Sequence, residues 1–148
     1  MLNWNNMERP FGMNPENADV YYNRGNNHAQ LQQYEKAIAD YTRVIELDPE
    51  YAPAYYNRGL SYYYLKQYEN AIADYTRAIE LNPENAKAYN NRGNSYAQLK
   101  QYEKSIAEYT RAIELNPEYT PAYYNRGLSY YYLKQYEKAI ADYKRAIE

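Results

Sequence analysis

The chain has 148 residues, a net charge of −2 and no cysteine, and 24 of its residues are tyrosine. Without cysteine there are no disulfides and no thiolate metal sites, and acids and bases so interspersed leave no basic stripe for a phosphate backbone, which excludes a nucleic-acid partner. With Trp4 the only tryptophan and Phe11 the only phenylalanine, the core must come from Tyr, Ala, Ile and Leu, with many phenol oxygens reaching solvent or a partner.

The N-terminal stretch MLNWNNMERPFG has neither a cationic start nor an apolar run, so it is not a secretory leader. No apolar stretch is long enough to cross a bilayer. These features imply no membrane partner and a cytoplasmic location. Residues 1–17 look irregular until they are shifted by 34 positions, when Trp4 falls on Ile38, Met7 on Tyr41, Phe11 on Ile45 and Pro15 on Pro49. The segment is expected to be a degenerate helix covering the first repeat, broken early by Pro10, with a disordered tail as the competing reading.

The shift of 34 is the period of the whole chain. Gly25, Gly59, Gly93 and Gly127 keep it, as do Pro15, Pro49, Pro83 and Pro117. The word YYNRGLSYYYLKQYE occurs at 55–69 and again at 123–137, two periods apart. Each unit is expected to contain two helices. In the first, helix A covers roughly 19–31 and helix B roughly 35–47, where Ala37, Ile38, Tyr41, Val44, Ile45 and Leu47 form an apolar stripe at helical spacing. Pro49 ends helix B, because proline disfavours a helical residue before it. Asn17 and Asn85 are candidate N-caps of helix A in units one and three, whereas Pro53 and Pro121 fall in the first turn in units two and four. A strand is the competing reading of SYYYL, but the flanking apolar residues keep a helical period and no hairpin turn follows.

A single helix pair cannot bury its apolar face, and stacked pairs can. The glycine lets helix A approach helix B closely, with the small residues Ala37, Ala71, Ser105 and Ala139 expected opposite it. Ser105, the odd one, is expected to loosen the third unit. Arg24, Arg58, Arg92 and Arg126 precede the glycines. They either snorkel to solvent or pair with Asp40, Asp74, Glu108 and Asp142.

The pattern aromatic–x3–Gly–x2–aromatic–x5–aromatic–x2–Ala–x3–Tyr–x7–Pro is carried in unit two by Tyr55, Gly59, Tyr62, Tyr68, Ala71, Tyr75 and Pro83. In this the chain resembles the tetratricopeptide repeat family over residues 18–148, as units 18–51, 52–85, 86–119 and 120–148. The resemblance implies an all-α fold: antiparallel helix pairs stacked into a right-handed superhelical solenoid, with helix A lining its concave face. The chain departs from the family at the turn between the helices, where Gln32, Lys66, Lys100 and Lys134 stand at a position often held by glycine.

Enzyme chemistry has little to work with, and no catalytic residue, cofactor or metal is expected. The single histidine, His28, occupies the place of Tyr62, Tyr96 and Tyr130, a repeat-core position. The carboxylates recur with the repeat, as on a solvated face, and no phosphate-binding glycine loop is present.

The informative variation lies on helix A. Units two and four carry Leu60, Tyr63, Tyr64 and Leu128, Tyr131, Tyr132, where units one and three carry Asn26, Ala29, Gln30 and Asn94, Ala97, Gln98. By the resemblance these positions, with Tyr56 and Tyr124, face the groove, which would alternate aromatic pads with amide patches. Asn23, Asn57, Asn91 and Asn125 recur and could bond the backbone of an extended peptide. Some family members grip a C-terminal carboxylate with Lys and Asn from unit one, Asn from unit two, and Lys and Arg from unit three. The matching positions here are Tyr22, Asn26, Asn57, Lys87 and Asn91, so two of the three cations are absent. The function expected is a non-catalytic scaffold for a protein or peptide partner. The alternative is a structural array that stacks end to end as a homo-oligomer through Tyr143, Ala146 and Ile147. Residues 51–80 and 119–148 agree at 27 of 30 positions, which suits such an array.

Overall fold

The computed structural model describes residues 15–148. The degenerate helix expected over 1–17 therefore lies almost wholly outside the described residues. Eight α-helices and no strand occur among the described residues: α1 Pro15–Gln30, α2 Tyr34–Leu47, α3 Ala52–Tyr64, α4 Tyr68–Leu81, α5 Ala86–Gln98, α6 Tyr102–Leu115, α7 Thr120–Tyr132 and α8 Tyr136–Ile147. Odd-numbered helices are the A helices and even-numbered ones the B helices. SYYYL is helical up to Tyr64, with Leu65 as C-cap.

Asn85 caps α5 by accepting from the Ala88 amide at 3.1 Å, and Pro53 and Pro121 occupy the first turns of α3 and α7. Asn17 is not a cap. Helix α1 is described from Pro15 onward, so Asn17 sits inside the helix rather than at a cap. The first three B helices stop at a leucine, and the residue before the repeat proline is extended, with φ/ψ of −145/92° at Asp48 and −141/88° at Asn82. The Asp48, Asn82 and Asn116 side chains then accept from the amides of Glu50, Glu84 and Glu118. This closes the turn into the next A helix.

Each A helix packs on its own B helix, and each B helix packs on the A helix that follows. Consecutive A helices also touch, and no pair of B helices is in comparable contact. The stack is therefore tighter along its A side, which puts the A helices on the inner curve.

The seam is made largely of small residues, with one fully buried helix B tyrosine in each of the first three units. Ala37, Tyr41, Val44, Ala54, Ala71, Tyr75, Ala78, Ala88, Tyr109, Ala112 and Ala122 are all buried. The repeat glycine does not face the small residue of helix B. A Cβ on Gly25, Gly59, Gly93 or Gly127 would stand 2.7–2.8 Å from Cε1 of Tyr41, Tyr75, Tyr109 or Tyr143. Glycine is needed because a phenol ring lies flat on helix A. Ser105 does not leave a defect either: its hydroxyl lies 2.7 Å from that of Ser129 on the next A helix and donates to the Tyr102 carbonyl. Both groups are buried, and each satisfies the other.

The arginines pair rather than snorkel. Arg58 grips Asp74 through Nε and Nη2, each at 2.8 Å, and its Nη1 donates to Thr42 on the preceding B helix at 3.1 Å. Arg92 and Arg126 repeat this fork on Glu108 with Thr76 and on Asp142 with Thr110. One guanidinium thus spans three helices, and its planar, five-donor geometry is what lysine could not supply.

Candidate functional site: a groove along the A helices

The side chains that vary between units project along the inner surface and build two hollows. The first, of about 560 Å³, lies between units one and two. Asn26, Ala29, Gln30, Gln32 and Tyr34 meet Asn57, Leu60, Ser61 and Tyr64 there, with Tyr41 at the base. The second, of about 430 Å³, lies between units three and four and is lined by Asn94, Ala97, Gln98, Lys100, Tyr102, Tyr109, Asn125, Leu128, Ser129 and Tyr132, with Tyr63 at its edge. Apart from Tyr63, every residue of the second stands 68 positions after its counterpart in the first.

In each hollow one wall is a stacked tyrosine pair. Tyr34 and Tyr64 lie 5.1 Å apart at 17°, and Tyr102 and Tyr132 lie 5.0 Å apart at 12°. Such pairs contribute about 0.5–1.5 kcal/mol beyond the area they bury. Between units two and three the groove is narrow. Tyr63 and Tyr64 occupy the places that Ala29 and Gln30 hold in unit one, and they leave a hollow of only about 80 Å³ with Leu60, Tyr75, Asn91 and Asn94. Tyr63 is fixed there by edge contacts with Tyr64 and Tyr68 and by the Gln98 amide at 3.4 Å. The groove is thus open, closed by a septum, and open again.

Tyr22, Tyr56 and Tyr63 are half-buried, whereas Tyr64, Tyr124, Tyr131 and Tyr132 are more than half exposed. Tyr131 is held edge-on by Tyr132 and Tyr136. Tyr124 tilts against Tyr143.

The asparagine ladder is already engaged. The Asn57 amide donates to the Tyr22 hydroxyl at 2.9 Å and to Asn26 Oδ1 at 3.3 Å. Asn91 donates to the Tyr56 hydroxyl at 2.8 Å and Asn125 to Asn90 Oδ1 at 3.2 Å. These bonds join consecutive A helices as repeat-to-repeat ties, and Asn23 is exposed.

The positions matching a carboxylate grip also fail to assemble one. The Asn57 amide donates to both Tyr22 and Asn26, Asn91 donates to Tyr56, and Lys87 is exposed.

His28 is half-buried on α1, with Nδ1 2.7 Å from Gln33 Oε1. No group of His, Cys, Asp or Glu among the described residues could hold a metal ion, and none of the described helices is long and apolar enough to cross a membrane.

At the C-terminal unit, Tyr143 turns inward onto Gly127 and Tyr124, although part of its ring stays exposed where Tyr41, Tyr75 and Tyr109 are covered. Ile147 is 85% exposed and Ala146 half-buried. Ile140, which sequence reasoning missed, is 55% exposed although Ile38, Ile72 and Ile106 are half-buried. The recurring isoleucine was the signal that could have found it.

A family model, tetratricopeptide repeat, matches residues 18–51, 52–85, 86–119 and 120–148. No curated protein sequence matches the chain significantly. Among solved structures, a crystal structure of MamA is 28% identical with a TM-score of 0.86, over 90% of this chain and 78% of that one. The first tetratricopeptide domain of Spaghetti (RPAP3), bound to the HSP90 peptide SRMEEVD, is 28% identical with a TM-score of 0.80, over 84% and 99%. The Arabidopsis OM64 domain is 28% identical with a TM-score of 0.77, over 79% and 97%. The helix pairs, their order and the four successive matches agree: the chain belongs to the tetratricopeptide repeat family, whose members generally mediate protein–protein interactions.

Proposed function

We propose that this protein is a non-catalytic scaffold that accepts an extended peptide along the inner surface of its A helices. The observation that carries this reading is the groove itself: two open hollows, each walled by a stacked tyrosine pair of which one member, Tyr64 or Tyr132, is more than half exposed. Rigid aromatic side chains offer contact area at little entropic cost. The peptide-bound Spaghetti domain shares the fold and lends the groove its precedent.

The chemistry here differs from a carboxylate grip, because two of the three matching cations are missing. Peptides selected from a random linear library should bind equally well with a free or an amidated C-terminus. Tyr64→Ala combined with Tyr132→Ala should weaken their binding about tenfold or more, on the order of the 2 kcal/mol typical of a truncated aromatic anchor, with the melting temperature little changed. Selected peptides that bind this double variant unimpaired would sink the groove as the site.

A second reading rests on the exposed Ile140 and Ile147 of α8, which suit end-to-end contact between copies. Light scattering tests it. A mass that rises with concentration and falls with Ile147→Glu supports assembly, and a constant monomer mass removes it.

A further inference from the structure

The two hollows are copies of one another, and this bears on the partner's sequence. Ten lining positions of the first recur in the second after 68 residues, and the only change among them is Gln32 to Lys100 at the rim. The first hollow is lined entirely by uncharged side chains, and the second adds only that lysine. A charged anchor would lose its hydration there without a counter-charge, so a neutral one is favoured.

The base of each hollow also holds an incomplete hydrogen-bonding set. Asn26 Oδ1 accepts from Tyr41 at 2.7 Å, and Asn94 Oδ1 accepts from Tyr109 at 2.7 Å. The Nδ2 donors of both asparagines have no partner among the described residues. Each hollow therefore combines an aromatic wall, an aliphatic side made by Leu60 or Leu128, and an amide donor without an acceptor. A flat apolar group with a neutral acceptor at its tip completes that set. The molecule itself makes this contact elsewhere, where the Tyr22 and Tyr56 hydroxyls accept from the amides of Asn57 and Asn91.

We infer that the partner is a single chain segment carrying two tyrosines, one for each hollow, separated so as to step over the Tyr63–Tyr64 septum. The hollows are two repeats apart. With consecutive A helices about 8–10 Å from one another, that is about 16–20 Å. An extended peptide covers it in about five or six residues. The inference rests on the groove being the binding surface, and it adds that binding is bivalent and phenol-directed.

Isothermal titration of the full chain tests it with three synthetic probes: N-acetyl-tyrosine amide, a peptide with two tyrosines six positions apart in a Gly/Ser background, and the same peptide with phenylalanines. The expected result is two weak sites for the amide and one site for the two-tyrosine peptide, tighter by about 10²–10⁴-fold through linkage. The phenylalanine peptide should fall about tenfold short, having no acceptor for Asn26 and Asn94.

Ala29→Tyr with Gln30→Tyr rebuilds the septum in the first hollow, using residues the chain already tolerates as Tyr63 and Tyr64. The variant should halve the stoichiometry of the amide and abolish the linkage gain, with helicity and melting unchanged.

A two-tyrosine peptide that binds no tighter than the amide overturns bivalency while leaving the groove reading intact. Equal binding of the phenylalanine peptide overturns the phenol. If library peptides bind the groove but none of these probes does, the inference falls alone; if neither class binds, both readings fall. If the free protein self-associates and the septum variant makes it monomeric, the occupant is a second copy of this chain, and the inference is overturned.

Discussion

Units one and three differ from units two and four at one helix A position that reaches the core. In the odd units the buried phenol of helix B has an acceptor: Tyr41 donates to Asn26 and Tyr109 to Asn94, both at 2.7 Å. In the even units that asparagine is Leu60 or Leu128. Tyr75 is fully buried, and its hydroxyl has no hydrogen-bond partner among the described residues. Tyr143, its counterpart in unit four, is only half-buried. The same alternation opens the hollows, because odd units bring Ala and Gln where even units bring two tyrosines. A polar base therefore goes with an open hollow, and an orphaned phenol with a filled one. The alternation couples groove shape to core satisfaction, and unit two carries the cost.

The largest test of this comparison is alkaline. Burial holds the phenols of Tyr41, Tyr75 and Tyr109 well above the ordinary range, with neighbouring tyrosines adding to the shift. Below about pH 10 these groups are neutral in both folded and unfolded chains, so they impose no pH dependence. As pH rises past that value, only the unfolded chain releases the protons, and stability is lost. Three such groups together cost about 4 kcal/mol by pH 11, at about 1.4 each, the slope steepening from near zero at pH 9. Urea midpoints between pH 9 and 11 should show it, and a flat profile would mean that the rings are not held neutral. Tyr75→Phe and Tyr109→Phe should each remove about a third of the slope.

Exchanging the alternating residue comes next. Asn94→Leu leaves the Tyr109 hydroxyl without an acceptor and should destabilise by about 1–3 kcal/mol, the cost of an unmet buried polar group. Adding Tyr109→Phe should recover most of that loss. Leu60→Asn should do the opposite, giving Tyr75 its acceptor and a gain of about 1 kcal/mol. Denaturant melts of these variants should show effects of opposite sign at the two sites. If Leu60→Asn destabilises while Asn94→Leu does not, the comparison between odd and even units is wrong.

Much of the architecture is legible before any coordinates. The 34-residue step of Gly and Pro defines the helix pairs, and the arginine-to-acid pairing is visible as one of two options. What escaped was contact between units. The asparagine ladder shows equivalent donors but not their acceptors, because Asn57 reaches Tyr22, 35 residues back, only once the A helices are stacked. Reasoning from size placed Ala37 and its equivalents opposite the glycines, whereas the rings of Tyr41, Tyr75, Tyr109 and Tyr143 take that place. At Ser105 the small side chain instead meets the next unit at Ser129, a contact hinted at by the recurrence of Ser61, Ser95 and Ser129. The hollows escaped for the same reason. Each is built from two units, and only their 68-residue copy pattern was visible in advance.

The smallest effect is a control on the comparison, because it should not alternate. Gln32, Lys66, Lys100 and Lys134 all have φ of 59–61°, the left-handed region that glycine enters freely. A side chain there costs about 1–2 kcal/mol, and the chain accepts it so that the following amide can bond back into the A helix, as Gln67 does to Tyr62 and Gln101 to Tyr96, both at 2.9 Å. Replacement by glycine relieves that strain but adds about 0.4–1 kcal/mol of freedom to the unfolded chain. Lys66→Gly and Lys100→Gly should therefore each stabilise by up to about 1 kcal/mol in urea melts, and by equal amounts. Both residues are exposed, so neither change touches the alternating core. A gain in one unit and a loss in the other would show that the odd and even units differ in backbone as well as in side chains, and the hydroxyl of Tyr75 would no longer suffice to explain them.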